Sequence, residues 1–154
     1  MGRAGDLGPL FLRIGVGVVL AWHGWQKFNG GVSNFAGFLG TLNVPAPEVV
    51  AWLQVMAEGI GGVMLVVGLL TRLVTLPLIA TMVGAIVLVK ADIGFIVAGK
   101  AGAELDVVLL AGLLCLLFIG PGRFSLDAML GLEDSSTISH DRYDRHDHGA
   151  RVNA

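Results

Sequence analysis

"LGPLFLRIGVGVVLAWHGWQK", Leu7 to Lys27, is apolar for most of its length and then closes on a histidine, a glutamine and a lysine interleaved with two tryptophans. A core helix of a soluble domain keeps one wet face, whereas a helix that crosses a bilayer is apolar all round. The stretch therefore reads as a membrane span, and its polar end raises the functional question. Arg13 interrupts the run, no small-residue cleavage site follows it, and it is too long for the core of a signal peptide, so a retained helix is expected.

The rest of the chain agrees. Of its 154 residues, 55% are hydrophobic and 14% charged, which places it with membrane proteins. Besides 7–27, apolar runs cover about 49–70, 73–89 and 105–120. At ~1.5 Å per residue each run gives roughly 24 to 33 Å of helix against a hydrocarbon core ~30 Å thick. Between the first two runs, "NGGVSNFAGFLGTLNVPAPE" opens on a turn and stops at Pro45 and Pro47. Inside it Phe35, Phe38, Leu39 and Leu42 recur with helical spacing, with Ser33 or Asn34 as the expected cap. "GLLTRL" is long enough only for a tight hairpin, and "PGRFSLDAML" reads as a stop followed by one Ser125-capped turn. The predicted fold is an all-α membrane protein: four transmembrane helices in an antiparallel bundle with a short amphipathic helix in the first outer loop. Residues 1–132 form that domain, and 133–154, nearly without apolar content, are expected to be a disordered charged cytoplasmic tail.

Arg3, Arg13, Arg72, Arg123, Arg142, Arg145 and Arg151 fall on one side of this topology, and Lys27, Lys90 and Lys100 on the other. That bias favours both termini in the cytoplasm. Heights above the inner edge then follow from ~1.5 Å per residue: ~24 Å for His23 and Gln54, ~18 Å for Glu58, ~26 Å for Lys90 and ~21 Å for Asp106. The polar groups of all four helices share a layer in the outer half of the membrane. His23 with Lys27, and Gln54 with Glu58, are i,i+4 pairs, so each pair is a stripe on one helix face. An unpaired charge there costs about 2.5 to 3.5 kcal/mol on insertion scales, so mutual pairing is expected, with Glu58 opposite His23 or Lys27. Gly24 and the "GIGG" of 59–62 would let backbones approach.

His23 and Glu58 are thus the candidate catalytic residues, as proton-exchanging groups, and Trp22, Trp25, Lys27, Gln54, Lys90, Glu104 and Asp106 the candidate binding residues. Arg13, Arg72, Arg123 and Asp127 read as structural; Arg13, only ~9 Å above the inner edge, would snorkel to headgroups or bond to Asp127. Cys115 is the chain's one cysteine, which excludes an internal disulfide, and it reads as a packing residue. His140, His146 and His148 lie in the charged tail, where the solvated reading outweighs a metal site; no metal, nucleotide or haem motif is present. A net charge of −2 without a basic patch sets nucleic acid aside.

"LRIGVGVVLAWHGWQKF", "EGIGG", "GLLTRL" and "GPGRFSLDAML" in this order resemble the DoxX family of small four-helix membrane proteins over about 7–132. The resemblance implies a bacterial inner-membrane protein linked to redox chemistry and quinones or to oxidative stress, with His23, Lys27, Glu58, Arg72, Glu104 and Arg123 at motif positions. Members commonly follow the fourth-helix glutamate with an aromatic, where this chain has Leu105 and then Asp106, and often end the third helix with histidine, where it has Lys90. The expected function is a redox-associated membrane protein, a quinone-reactive oxidoreductase or a subunit of one, taking electrons from a partner or a soluble reductant. The alternative is a scaffold subunit that anchors a redox enzyme to the bilayer, and a less favoured third reading is a transporter. The lipid bilayer, further copies of the chain or a larger membrane complex, and a soluble redox enzyme are the expected partners.

Overall fold

The computed structural model describes residues 7–90, 95 and 102–132. The expectation of a disordered tail over 133–154, with its three histidines, lies outside the described residues. Those residues form helices α1 (Leu7–Asn29), α2 (Val32–Thr41), α3 (Pro47–Val67), α4 (Thr71–Gly84, continued by a π-helical turn over Ala85–Val89), α5 (Glu104–Ile119) and α6 (Leu126–Leu130). No strand occurs among them.

Three helices, Leu7–Asn29, Pro47–Val67 and Thr71–Val89, are long and apolar enough to cross a membrane. The helix Glu104–Ile119 is apolar but, at 16 residues, spans about 24 Å. The exterior carries Phe11, Val18, Leu53, Leu73, Val108 and Phe118 exposed, whereas the interior is Val16, Leu20, Leu65, Val74, Leu78, Met82, Leu109, Leu113 and Leu116. That core draws on α1, α3, α4 and α5 together. An exterior as greasy as the core is unstable in water and at home in lipid tails. The protein is a membrane protein.

The backbones of α1 and α3 touch. A Cβ on Gly17 would lie 2.7 Å from the Gly62 carbonyl oxygen, and one on Gly24 would strike the Gly59 backbone. As α1 advances from Gly17 to Gly24 its contacts on α3 retreat from Gly62 to Gly59, so the two chains run in opposite directions. Small residues permit this approach, which substitutes dispersion contacts for the hydrophobic drive that lipid does not supply.

Both turns around α3 end on left-handed residues. Asn43 (φ 57°) closes α2, with Val44 N–H donating to the Leu39 carbonyl and Asn43 N–H to that of Gly40. Gly68 (φ 71°) closes α3 in the same way, through Leu69 N–H to Met64 O and Gly68 N–H to Leu65 O. Helix α2 begins at Val32, ahead of both expected caps, because Gly31 (φ 91°) makes the turn; Asn34 Nδ2 instead reaches back to the Gly30 carbonyl at 2.8 Å. Its buried face is Val32, Ala36 and Leu39 against Ala51 and Val55 of α3, with Phe38 exposed.

At the other end, the short helix α6 locks three segments together. Ser125 caps it, accepting from Ala128 N–H at 3.1 Å. Asp127 accepts from the Leu70 and Thr71 N–H groups at 2.6 and 2.9 Å, so its carboxylate caps the N-terminus of α4, while its own N–H donates to the Gly68 carbonyl. Arg13 is 3% exposed and donates through Nη2 to the Phe124 carbonyl. It is thus held inside the protein by the turn leading into α6 and does not snorkel to headgroups.

Candidate functional site

Glu58 lies in mid-α3, 1% exposed, a carboxylate in an apolar helix. Its charge is met at once: Lys27 Nζ, from the last turns of α1, donates to Oε1 and to Oε2 at 2.6 Å each. Gln54 Nε2, one turn earlier on α3, adds a bond to Oε1 at 3.3 Å. Lys27 also sits 5.0 Å from the centroid of the Phe35 ring, so α2 covers the ammonium from outside. Partner for partner, the buried carboxylate is satisfied, which is the condition for keeping a charge at this depth. Of the two expected partners for Glu58, the residue that pairs is Lys27; His23, half-buried one turn below, lines the same space.

A second ion pair stands across the bundle. Lys90 Nζ lies 3.0 Å from Asp106 Oδ2 and donates to the Gly102 carbonyl at 2.6 Å. The π-helical turn explains why Lys90 points there. Buried positions on α4 run Thr71, Val74, Thr75, Leu78 and Met82, a stripe from which Lys90, eight residues after Met82, would be turned by about 80° in an unbroken α-helix. The Lys90 N–H bonds to the Ala85 carbonyl five residues back, and a π turn takes up one extra residue, about 100° of rotation. The lysine is thereby brought back onto the inward stripe.

Between the pairs lies a cavity of about 810 Å³, lined at one end by His23, Lys27, Gln54, Glu58, Lys90 and Asp106. Apart from Thr81 the remaining lining is apolar or glycine, supplied by α2, α3, α4 and Val44 between α2 and α3. Of the residues singled out in the sequence, six therefore meet at one end of one space. Glu104 does not line it; its Oε2 is buried without a hydrogen-bond partner among the described residues.

Trp22 and Trp25 do not line the cavity either. At 100° per residue they point about 150° away from the His23 and Lys27 stripe. Both are exposed and border a second groove of about 600 Å³ with Phe28, Val55, Gly59 and Val63. Of the candidate binding residues, these two therefore stand apart from the polar end of the cavity. Arg72 and Arg123 are exposed away from the cavity. No cluster of histidine, cysteine and acidic side chains suited to a metal ion occurs among the described residues. Phe35, the Gly102 carbonyl and the π turn are the parts that the sequence reading missed; the off-stripe spacing of Lys90 from Met82 was the available signal for the last.

The sequence pattern of the DoxX family matches residues 8–91. An uncharacterized membrane protein of Mycobacterium tuberculosis is 39% identical over 128 residues, covering 77% of this chain and 78% of that protein. The chain belongs to the DoxX family. A second relative, from Bacillus subtilis and named "Putative oxidoreductase CatD", is 33% identical over 129 residues, covering 82% of this chain and 90% of its own. No solved structure matches the chain. The DoxX match takes in α1 to α4 and Lys90, hence both partners of the Lys27–Glu58 pair, and stops short of Asp106.

Proposed function

We propose that this DoxX protein is a redox-associated component of the bacterial inner membrane whose cavity receives a quinone headgroup. The observation that carries the reading is the gathering of His23, Lys27, Gln54, Glu58, Lys90 and Asp106 in one cavity of an otherwise apolar molecule. The B. subtilis relative named as an oxidoreductase supports a redox role.

In this reading α1, α3, α4 and α5 are four antiparallel membrane-crossing helices of one domain over residues 1–132, α2 covers the outer end, and both termini face the cytoplasm. Reduction of a quinone to its quinol takes two electrons and two protons. The electrons come from a redox partner or soluble reductant, since the chain carries no motif for an electron carrier. Glu58 and His23 relay the protons. Lys27 and Lys90 donate hydrogen bonds to the ring oxygens as negative charge develops there, and Gln54 and Asp106 orient those two lysines through Glu58 and directly. Glu104, two residues before Asp106 on α5, adjusts Lys90 and Asp106 from outside the cavity, and Arg13, Arg72, Arg123 and Asp127 hold the inner end together.

The test is turnover of a short-tailed quinone analogue by purified protein supplied with a chemical reductant. General acid–base groups contribute about 10²- to 10⁴-fold, so Glu58→Gln should lower the rate by at least about 10²-fold. A Glu58→Gln protein as fast as the wild type would refute the reading. Orientation is tested by a reporter fused to the C-terminus; activity of one that folds only outside the cytoplasm would reverse the topology.

A scaffold subunit is the second reading. It is favoured by the exposed aromatic groove of Trp22, Trp25 and Phe28, which leaves an adhesive face on α1 and α3 unused by the cavity. Mild-detergent purification should then recover a stoichiometric redox enzyme that Trp22→Ala with Trp25→Ala releases.

A further inference from the structure

We infer that the cavity is loaded sideways from the bilayer, through a slot between α3 and α4, and that its ligand is an amphiphile with an uncharged hydrogen-bonding head and a single apolar tail. This rests on the cavity being the binding site and requires no redox chemistry.

The cavity is longer than its polar end needs. From Gln54 and Glu58 it continues along α3 to Met64, about 15 Å at 1.5 Å per residue, and along α4 from Lys90 back to Val74. Every lining residue on that lower stretch except Thr81 is apolar or glycine. The edges of the slot are open: Leu53, Met56 and Ile60 on α3 and Pro77, Ala80 and Leu88 on α4 are exposed and apolar. Since α3 and α4 are both long and apolar enough to cross a membrane, that opening faces lipid tails and not water. A water-soluble substrate would have to pass an apolar margin to reach Glu58, whereas a bilayer-dissolved one can slide in with its tail still in an apolar medium.

The charge balance specifies the head. The charged residues lining the cavity are Lys27, Glu58, Lys90 and Asp106, two cations each already beside an anion. An anionic head would gain a lysine only by displacing a carboxylate and would face two carboxylates at close quarters; a cationic head meets the reverse. A neutral head with donors and acceptors pays neither cost and can bond to either pair.

The experiment is native mass spectrometry of the full chain released from micelles, with three probes: monoolein (neutral head, one tail), oleate (the same tail on a carboxylate) and glycerol (a head with no tail). Monoolein should remain bound, oleate should bind about tenfold more weakly, a difference of ~1.4 kcal/mol, and glycerol should be lost. Ala80→Trp, which fills the slot from α4, should lower monoolein binding at least about tenfold, while Val63→Trp in the second groove should not change it. Leu53→Trp on the facing edge repeats the test should Ala80→Trp fail to fold. Glycerol binding as well as monoolein, oleate binding more tightly than monoolein, or full retention in both slot variants would overturn the proposal. So would slot variants that only separate a dimer, for the slot would then be a contact between copies. Monoolein retention with no quinone turnover would sink the redox reading and leave this one standing; quinone turnover undiminished in both slot variants would do the opposite.

Discussion

Glu58 and Lys27 are unequal members of their pair. The carboxylate side chain is 1% exposed and the lysine side chain 23%, so the lysine keeps some access to the exterior when its partner is lost, and the glutamate does not. Removing one member of a buried pair costs about 3 to 5 kcal/mol when the other is stranded. Lys27→Met should therefore lower the midpoint of thermal unfolding in detergent more than Glu58→Gln, and the double variant should recover most of the loss. Equal effects from the two single variants would show that burial does not decide the matter. The sequence showed how high each of these groups sits, because rise per residue is nearly constant. It did not show which way Trp22 and Trp25 face relative to His23, since that follows from where α3 packs, and their aromatic chemistry suited either side.

Helix α1 meets α3 through glycines that are not interchangeable. A Cβ at Gly24 would strike the backbone of Gly59, whereas one at Gly59 meets nothing within 4 Å. Overpacking costs typically ~1 to 3 kcal/mol, so Gly24→Ala should be clearly destabilised and Gly59→Ala close to the wild type in the same unfolding assay. The π turn of α4 yields a sharper test. Deleting one residue from Ala85–Val89, such as Val87, restores α-helical register with Lys90 seven residues after Met82, about 20° from the inward stripe, so the lysine still faces Asp106. The deletion should then keep wild-type quinone turnover while Lys90→Met loses it; a deletion variant as slow as Lys90→Met would show that the π turn does more than aim Lys90. The apolar helices were legible from length and composition. The π turn was legible only through the off-stripe spacing of Lys90, because its own residues, Ala-Ile-Val-Leu-Val, suit an ordinary membrane helix equally well.

Across the whole protein the two ends have different duties. The end that holds the polar part of the cavity consists of polar groups on separate helices, and the opposite end is held by Asp127 across the start of α4 and by Arg13 on the Phe124 carbonyl. Loss of a capping carboxylate costs about 0.5 to 2 kcal/mol. Asp127→Ala should lower the unfolding midpoint accordingly while leaving quinone affinity unchanged; a change in affinity without a change in stability would mean that the cap at the start of α4 governs the polar end of the cavity. This division was visible only in part beforehand. The motif around Ser125 announced a capped turn, but a carboxylate that caps a helix 56 residues earlier in sequence is a tertiary contact that no local pattern encodes.

The two ion pairs carry one more implication. Each lysine stands beside its own carboxylate, and the sum over the cavity is zero. Admitting a neutral guest therefore shifts no net charge through the transmembrane electric field, which does work of ~2.3 kcal/mol per elementary charge per 100 mV. Occupancy in energised vesicles should be the same whether the voltage is on or collapsed, an electrically silent compartment inside a polarised membrane.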